Sequence, residues 1–455
     1  MTTNIRFKSV CLFLFAFGLS SCKQFVEVPA PTNQLNADDV FTDDKTATSA
    51  IVGIYSDMES ALPVSIYLTL LPGMSADELT CTSGDRAYLQ LVNNTYAPDN
   101  PYTAAVWGIY SSLYKANACI QGIQNSTGLT PAAKNQLLGE ALFSRAFCYF
   151  YLVNLFGDVP LITSTDYRIN DTVRRTPSPA VYQQIIVDLT KAQTLLNSSY
   201  PSDQRVRPNI WTATALLSRV YLYTNNWVNA ETQASAIINS GSYALSVLAS
   251  VFLNTSNETI WQLMPVNPLF NTQEATIFIP GDTTLVPTFP LTNDLINAFQ
   301  SGDQRISAWT GTTTIAGQVF YYPAKYRNPG GSSVTEYHIV FRLAEQYLIR
   351  AEARMQEGNM AGAIEDLNTI RSRAGLTALP PSLTPDQTAA AVRQERRIEL
   401  FAEFGHRWLD LKRTSMVDPV LQALKASTWQ SRAALWPVPQ DQIILNPSLI
   451  QNKGY

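Results

Sequence analysis

The segment between residues 130 and 157 constrains the fold of this chain more than any other feature. It opens with Thr130-Pro131, a helix start in which Thr caps free amide groups and Pro at the first helical position loses no amide bond. Apolar side chains then recur at helical spacing until Gly157 ends the pattern. The same start signal recurs at Ser178-Pro179 and at Thr384-Pro385. We therefore predict a mostly α-helical protein with a helix over residues 131–156.

A weak internal repeat indicates how the helices are arranged. Residues 219–234 align with residues 352–367 at a constant offset, and each unit predicts a helix, a short polar turn and a second helix. A small residue, Ala230 in one unit and Ala363 in the other, stands where the two helices would touch. Such units resemble tetratricopeptide helix pairs, which stack to bury a continuous core. We predict helical repeats over about 105–242 and 336–415.

Two stretches lack this helical pattern. Residues 61–106 and 243–335 are rich in Pro and Gly, and the second contains short β-like segments at Thr276–Ile279 and Gln318–Tyr322. Loops on a rigid scaffold are where binding residues concentrate. The predicted fold is therefore a tetratricopeptide-like helical-repeat scaffold with a loop-rich, partly β inserted lobe at about 243–335, and that lobe is expected to bind ligand.

The amino terminus carries the features of a secretory signal. Arg6 and Lys8 precede an apolar run that is too short to remain in a membrane as a helix, so residues 1–21 are predicted to be a signal peptide. The run ends in Leu19-Ser20-Ser21-Cys22, which resembles a bacterial lipobox, in which the Cys is acylated. We predict lipidation at Cys22 and a Pro-containing tether over residues 22–37. The alternative is an ordinary secretory signal that contains a Cys.

Composition narrows the possible functions. The formal net charge is −4 and no basic stripe is present, so a nucleic-acid partner is not expected. The only histidines are His338, predicted to be a surface or capping residue before a helix, and His406. Motifs for zinc hydrolysis, serine hydrolysis and phosphate binding are missing from the sequence. We accordingly predict no catalytic residue, no metal and no cofactor.

Carboxylates leave one enzymatic alternative open. Six charged residues recur at spacings of one to four on what the pattern predicts to be one helix: Glu395, Arg396, Glu399, Glu403, Arg407 and Asp410. Paired carboxylates serve acid–base catalysis in glycoside hydrolases. The favoured interpretation is an ion-pair network that holds this helix to its neighbours.

Four separated segments resemble the SusD/RagB family, and they occur in the family's order across nearly the whole chain. The segments are Cys22–Tyr55, Glu140–Pro160 with its Leu155-Phe156-Gly157-Asp158-Val159-Pro160, Arg342–Leu411 with its Glu395-Arg396-Arg397-Ile398-Glu399-Leu400, and Pro437–Tyr455. The resemblance implies a non-enzymatic lipoprotein on the outer face of the outer membrane, comprising a SusD-like domain over residues 38–455. It further implies that the protein binds oligosaccharide or peptide nutrients and delivers them to a SusC-like TonB-dependent transporter. The alternatives are a helical glycoside hydrolase and a cell-surface helical-repeat adaptor.

Candidate ligand-binding residues come from the two irregular stretches. Aromatic faces stack on the apolar faces of sugar rings, while Asp bonds hydroxyl groups and Arg bonds hydroxyls or a peptide's carboxylate. The candidates are Asp77, Asp85, Arg86, Tyr88, Tyr96, Phe270, Trp309, Tyr321, Tyr322 and Arg327. The competing interpretation is that these aromatic residues fill small cores under the loops. Tyr88 and Trp309 are the strongest candidates, because their neighbours are polar or small.

Overall fold

The computed structural model describes residues 37–331 and 333–455, and most of them lie in helices. Two compact units divide the chain after Val40, and the short helix α1 belongs to the first. The helices are α1 (Ala37–Val40), α2 (Asp44–Ser60), α3 (Leu68–Ser75), α4 (Arg86–Val92), α5 (Pro101–Trp107), α6 (Ile109–Asn125), α7 (Pro131–Phe156), α8 (Tyr167–Asn170), α9 (Ser178–Leu195), α10 (Ile210–Tyr223), α11 (Trp227–Asn239), α12 (Gln273–Phe278), α13 (Asn293–Ala298), α14 (Arg305–Trp309), α15 (Leu343–Gln356), α16 (Met360–Arg373), α17 (Pro385–Glu399), α18 (His406–Arg413), α19 (Val417–Leu424) and α20 (Gln440–Leu445). Among the described residues, none of these helices has the length and apolar character needed to cross a membrane. The predicted signal peptide and the predicted lipidation at Cys22 lie outside the described residues.

Helix α7 lies at the centre of the fold. The Thr130 hydroxyl accepts a hydrogen bond from the Ala133 amide at 3.3 Å, and Gly157 ends the helix with a φ of 76°, a conformation that favours glycine. Nearly every side chain after Gly139 is buried, and α6 and α9 both pack against this helix. The predicted helix over residues 131–156 is confirmed at both ends.

The two predicted helix–turn–helix units are present. Helices α10 and α11 form the first unit, α15 and α16 form the second, and α11 packs against α15. Ala230 and Ala363 are both fully buried, as expected where the two helices of a unit touch. The series continues to α17, which starts with the predicted capping box between Thr384 and Gln387. The likeness of these pairs to tetratricopeptide repeats stays a prediction.

Three antiparallel strand pairs accompany the helices in the described residues. The strands are β1 (Val159–Pro160), β2 (Arg175–Thr176), β3 (Thr259–Leu263), β4 (Thr310–Ile315), β5 (Gln318–Pro323) and β6 (His338–Arg342), paired as β1–β2, β3–β6 and β4–β5. The β3–β6 pair is completely buried, and Trp261 of β3 packs against Phe143 and Phe147 of α7. This pair therefore attaches the loop-rich region to the central helix. Strand β5 confirms the β prediction for Gln318–Tyr322.

Two local predictions are wrong. Residues 276–279 are not a strand, because Thr272 caps helix α12 by accepting from the Ala275 amide at 3.2 Å. The charged segment 395–410 is not one helix. Helix α17 ends at Glu399, and the chain reverses through Ala402, Phe404 and Gly405, which all have positive φ, before α18 begins.

Candidate ligand-binding site

The two irregular stretches meet through backbone hydrogen bonds. The Thr80 amide donates to the Pro290 carbonyl and the Thr82 amide donates to the Thr288 carbonyl, both at 3.0 Å. On the other side of this segment, the Leu291 amide donates to the Tyr321 carbonyl at 2.8 Å. Residues 288–291 therefore lie between the loop that precedes α4 and strand β5. Side chains that are more than 200 residues apart in sequence are brought to one place by this arrangement.

Four aromatic rings, which we call the tyrosine cluster, lie beside this junction: Tyr67, Tyr88, Tyr102 and Phe289. Tyr88 stacks on Tyr102 with ring centroids 3.9 Å apart and planes 7° apart. Phe289 meets Tyr88 edge-on at 5.0 Å, and Tyr67 meets Tyr102 edge-on at 5.7 Å. Tyr67 and Phe289 are buried, whereas Tyr88 and Tyr102 are half-buried. Part of each stacked ring thus remains open to solvent on a rigid support.

A carboxylate is fixed at the edge of the cluster. Asp85 caps helix α4 by accepting from the Ala87 amide at 2.8 Å and from the Tyr88 amide at 3.3 Å. The Tyr102 hydroxyl donates to its other oxygen at 2.7 Å. This hydrogen bond lowers the pKa of Asp85, while burial and the same hydrogen bond raise the pKa of Tyr102. At neutral pH, Asp85 is therefore an ionised acceptor beside two rings, and the exposed Arg86 follows it.

Burial and contact with Tyr88 raise the pKa of Tyr67 to about 12, so this phenol also stays protonated. The arrangement offers an aromatic surface, a carboxylate acceptor and a guanidinium donor. Those are the groups that orient a polar ligand with apolar faces. Among the described residues, no three His, Cys, Asp or Glu side chains are grouped as a metal site.

Two parts of the chain match models of known protein families. A family model described as "SusD family" matches residues 292–455. A second model, described as "Starch-binding associating with outer membrane", matches residues 33–222. The chain belongs to the SusD/RagB family. The resemblance seen in the four sequence segments is thereby confirmed.

Individual SusD relatives match most of the chain. SusD-like protein P25 of Formosa agariphila is 24% identical over 533 residues, covering 99% of this chain and 100% of that relative. The starch-binding protein SusD of Bacteroides thetaiotaomicron is 23% identical over 425 residues, covering 73% of this chain and 75% of that relative. A solved structure of a SusD superfamily protein from Bacteroides vulgatus has a TM-score of 0.82 at 21% identity, covering 91% of this chain and 100% of that one. The mostly α fold is the SusD fold.

The structure brings together only some of the ten predicted ligand residues. Asp85, Arg86 and Tyr88 lie together at the start of α4, in the tyrosine cluster or directly beside it. The Tyr321 carbonyl accepts from the amide of Leu291, two residues beyond Phe289 of the cluster. Tyr322 is adjacent in sequence, but its ring lies over Gly311 of the facing strand and covers a position where no side chain fits. These five residues stay predicted ligand contacts.

Three predicted ligand residues lie in the core, and the prediction for them is corrected. Trp309 is 1% exposed, and its indole N–H donates to the Leu248 carbonyl at 3.0 Å. Tyr96 is 3% exposed, and its hydroxyl accepts from Asn94 at 2.8 Å. Asp77 is 3% exposed and accepts two hydrogen bonds from Arg407, both at 2.7 Å. Such side chains pack and pair inside the domain, so the core interpretation holds for them.

The remaining two predicted residues lie apart from the cluster. Phe270 is 47% exposed and forms a backbone bridge to Gly330. Arg327 is exposed, and its guanidinium donates to the carbonyls of Ala308 and Ala324. No hydrogen bond or ring contact joins either residue to the tyrosine cluster in the described part of the chain. Their contact with ligand stays a prediction.

Tyr102, the partner of Tyr88, is not among the ten predicted residues, because its sequence signal is incomplete. Asn100-Pro101 marks a helix start, and Asn100 indeed caps α5 by accepting from the Tyr102 amide at 3.0 Å. That pattern places Tyr102 in the first turn of a helix near other turn-forming residues. The stacking on Tyr88 depends on how α4 and α5 pack, which no local pattern specifies.

The buried carboxylates form a structural network. Glu399 is fully buried and accepts hydrogen bonds from Arg305, Arg342 and Arg373. Burial alone would raise its pKa, but the three guanidinium groups hold the pKa of Glu399 well below its usual range. Glu403 similarly pairs with Lys325 and Arg342. A glycosidase needs two carboxylates that reach a substrate, whereas these are enclosed and held by cations, so the ion-pair interpretation is supported.

His338 is neither at the surface nor at a helix cap, since Arg342 occupies the N-cap position of the following helix, and that prediction is wrong. It is 1% exposed on β6, with Nε2 2.6 Å from Glu274 and Nδ1 3.6 Å from Glu59. Its ring stacks on Phe404 at 4.5 Å. Burial alone would lower its pKa, but the negative charges of Glu274 and Glu59 raise the pKa of His338 to about 10. Glu59 and Glu274 are distant from His338 in sequence, so the residues around His338 do not predict that it is buried between two carboxylates.

This buried imidazolium predicts a pH dependence of stability. Because the pKa of His338 rises from 6.5 in the unfolded chain to about 10 in the fold, its stabilisation is complete below pH 6.5 and is lost as the pH rises through about 10. Between pH 6.5 and pH 10, the free energy of unfolding measured with urea should fall less for the His338→Gln protein than for the unsubstituted protein. An equal decrease in both proteins would contradict the assigned charge.

Proposed function

We propose that this protein binds glycan at the tyrosine cluster and delivers it to a TonB-dependent outer-membrane transporter. The observation that carries the proposal is the half-buried Tyr88–Tyr102 stack with ionised Asp85 and exposed Arg86 beside it. The family description, "Starch-binding associating with outer membrane", and the relative named starch-binding protein SusD support the ligand class. Peptide is the alternative ligand class, and binding of peptide alone would replace this proposal.

Binding would use both parts of the site. The open portion of the Tyr88 and Tyr102 rings would contact the apolar face of a sugar ring, and the paired rings enlarge that contact. Asp85 would accept from sugar hydroxyls, and Arg86 would donate to them. Because Asp85 is already fixed by the α4 amides and by Tyr102, little order would be lost when ligand binds. The protein would release the glycan chemically unchanged.

The proposed anchor is tested at Cys22. Changing Cys22 to Ala should move the protein from the membrane fraction to the soluble fraction, or block its maturation, because no acyl chain would be attached. Fractionation with metabolic acyl labelling measures both results. Cys81→Ala is the matched control, since Cys81 lies within the folded domain and should leave membrane association unchanged. A Cys22→Ala protein that stays membrane-bound and acyl-labelled would exclude the lipobox.

The proposed partner is tested by affinity purification. A protein that delivers ligand to a transporter must form a stable contact with its outer rim. A tag on this chain, purified from native membranes in mild detergent, should recover a large outer-membrane β-barrel in stoichiometric amount. Recovery of the tagged chain alone would count against delivery while leaving glycan binding intact.

A further inference from the structure

A cavity of about 220 Å³ lies among α17, α18 and α19, and the proposed function does not use it. The lining is mixed. Arg393 and Arg397 from α17 and Arg407 from α18 are basic, whereas Leu411 from α18, Met416 just before α19 and Val420 within it are apolar. The carboxylate of Asp410 also lines the cavity. We call this the arginine cavity. A lining that combines charged and apolar side chains is typical of a site for a small amphipathic molecule.

Two of the arginines, Arg397 and Arg407, are held in place by the buried carboxylate of Asp77. Asp77 accepts from Nε and Nη2 of Arg407, both at 2.7 Å, and from Nη2 of Arg397 at 2.9 Å. The Nη1 groups of Arg397 and Arg407 have no hydrogen-bond partner among the described residues, and neither does the exposed Arg393 guanidinium. Donors that are already oriented and still unused lose little entropy when they bind an anion.

The charge around the cavity is not balanced. Five arginines line it, and the carboxylates that pair with them in the described residues are Asp77, Asp294, Glu352 and Asp410. One positive charge is therefore left without a partner. Arg396, which is 2% exposed, also keeps an unbonded Nη1. The arginine left over is Arg393, which is exposed and lines the cavity, and a single negative charge bound there would pair with it.

We propose that the arginine cavity binds a small organic carboxylate with an apolar stem. The carboxylate would accept from Nη1 of Arg397, Nη1 of Arg407 and the Arg393 guanidinium, since a planar anion matches the guanidinium fork. The stem would lie against Leu411, Met416 and Val420. One uncompensated charge matches a carboxylate rather than a phosphate dianion. The carboxylate could be free in solution or be the acidic end of a nutrient oligomer, and the apolar wall favours a free carboxylate with a hydrocarbon stem.

Equilibrium dialysis of labelled isovalerate against the full chain in detergent tests this proposal. Saturable binding at millimolar concentration is expected, and Arg393→Gln and Arg397→Gln should each weaken it about tenfold, the size of one charged hydrogen bond. Arg168→Gln is the matched control, because Arg168 is an exposed arginine whose only ion pair within the described part of the chain is with Asp166, and it should leave binding unchanged. Arg393 forms no ion pair in the described residues, so its substitution should not disturb folding.

Competition identifies the ligand chemistry. Isovaleramide, the uncharged analogue, should not displace isovalerate, and glucuronate should displace it only weakly. The proposal is overturned by absence of saturable binding, by unchanged binding in both arginine variants, or by equal competition from isovaleramide. Tighter binding of glucuronate would overturn the apolar-stem assignment, and tighter binding of inorganic phosphate would overturn the single-charge assignment. None of these results bears on glycan binding at the tyrosine cluster.

Discussion

Replacing Arg342 by Met should lower the free energy of unfolding by about 3–5 kcal/mol, the usual effect of removing one partner from a buried ion pair. Arg342 is 2% exposed and donates to Glu258 at 2.9 Å, to Glu399 at 2.6 Å and to Glu403 at 2.8 Å. Met retains a similar apolar stem but leaves carboxylates buried with less compensating charge. Urea unfolding followed by circular dichroism measures the change.

The matched control for this prediction is Arg168→Met. The Arg168 side chain is 75% exposed and pairs with Asp166 on the surface, so its loss should change stability by less than about 1 kcal/mol. If Arg342→Met changed stability no more than the control, the network would not be holding β6 to α17. The carboxylates would then need another explanation, and the catalytic alternative would regain support.

Changing Tyr88 to Ala should weaken glycan binding by about 2 kcal/mol, or roughly 30-fold, as expected for truncation of an aromatic anchor. The substitution removes one of the two stacked rings and leaves Tyr102 without its support at 3.9 Å. Tyr88→Phe keeps the ring and should retain most of the affinity. Isothermal titration with the glycan that binds best measures both variants.

Tyr167→Ala provides the control for this second prediction. Tyr167 is 70% exposed and lies outside the tyrosine cluster, so its loss should leave affinity unchanged. The melting temperature separates binding from packing. Unchanged affinity for Tyr88→Ala would move the site elsewhere on the surface, and a large drop in melting temperature would show that Tyr88 mainly supports the fold.

Much of the fold could be predicted because its signals are local. Thr130-Pro131 and Thr384-Pro385 start helices by satisfying free amide groups within three residues, and Gly157 stops α7 because of its own backbone angles. The turn between α17 and α18 could not be predicted from such local signals. Ala402 and Phe404 adopt positive φ there although neither residue favours it, and the Thr69 hydroxyl holds the turn by accepting from the Phe404 amide at 3.1 Å.

The candidate site was only partly predictable because its contacts are distant in sequence. Asp85 and Tyr88 were found from turn-forming neighbours, but Phe289 reaches Tyr88 only through the pairing of residues 80–82 with 288–290. Asp77 had the same local signals as Asp85, yet its partners Arg397 and Arg407 lie 320 and 330 residues away and place it in the core. The burial of Trp309 has no signal in the sequence, because α14 has only five residues, too few to show a helical period.

The central claim is that this SusD-family protein binds glycan without altering it. The most direct measurement is titration of the purified protein with a panel of starch, other neutral glycans and peptides, followed by chromatography of the recovered ligand. We predict saturable binding to at least one glycan, loss of that binding in the Tyr88→Ala protein, and recovery of the glycan at its original length. Binding to peptides alone, or release of shortened glycan, would contradict the claim.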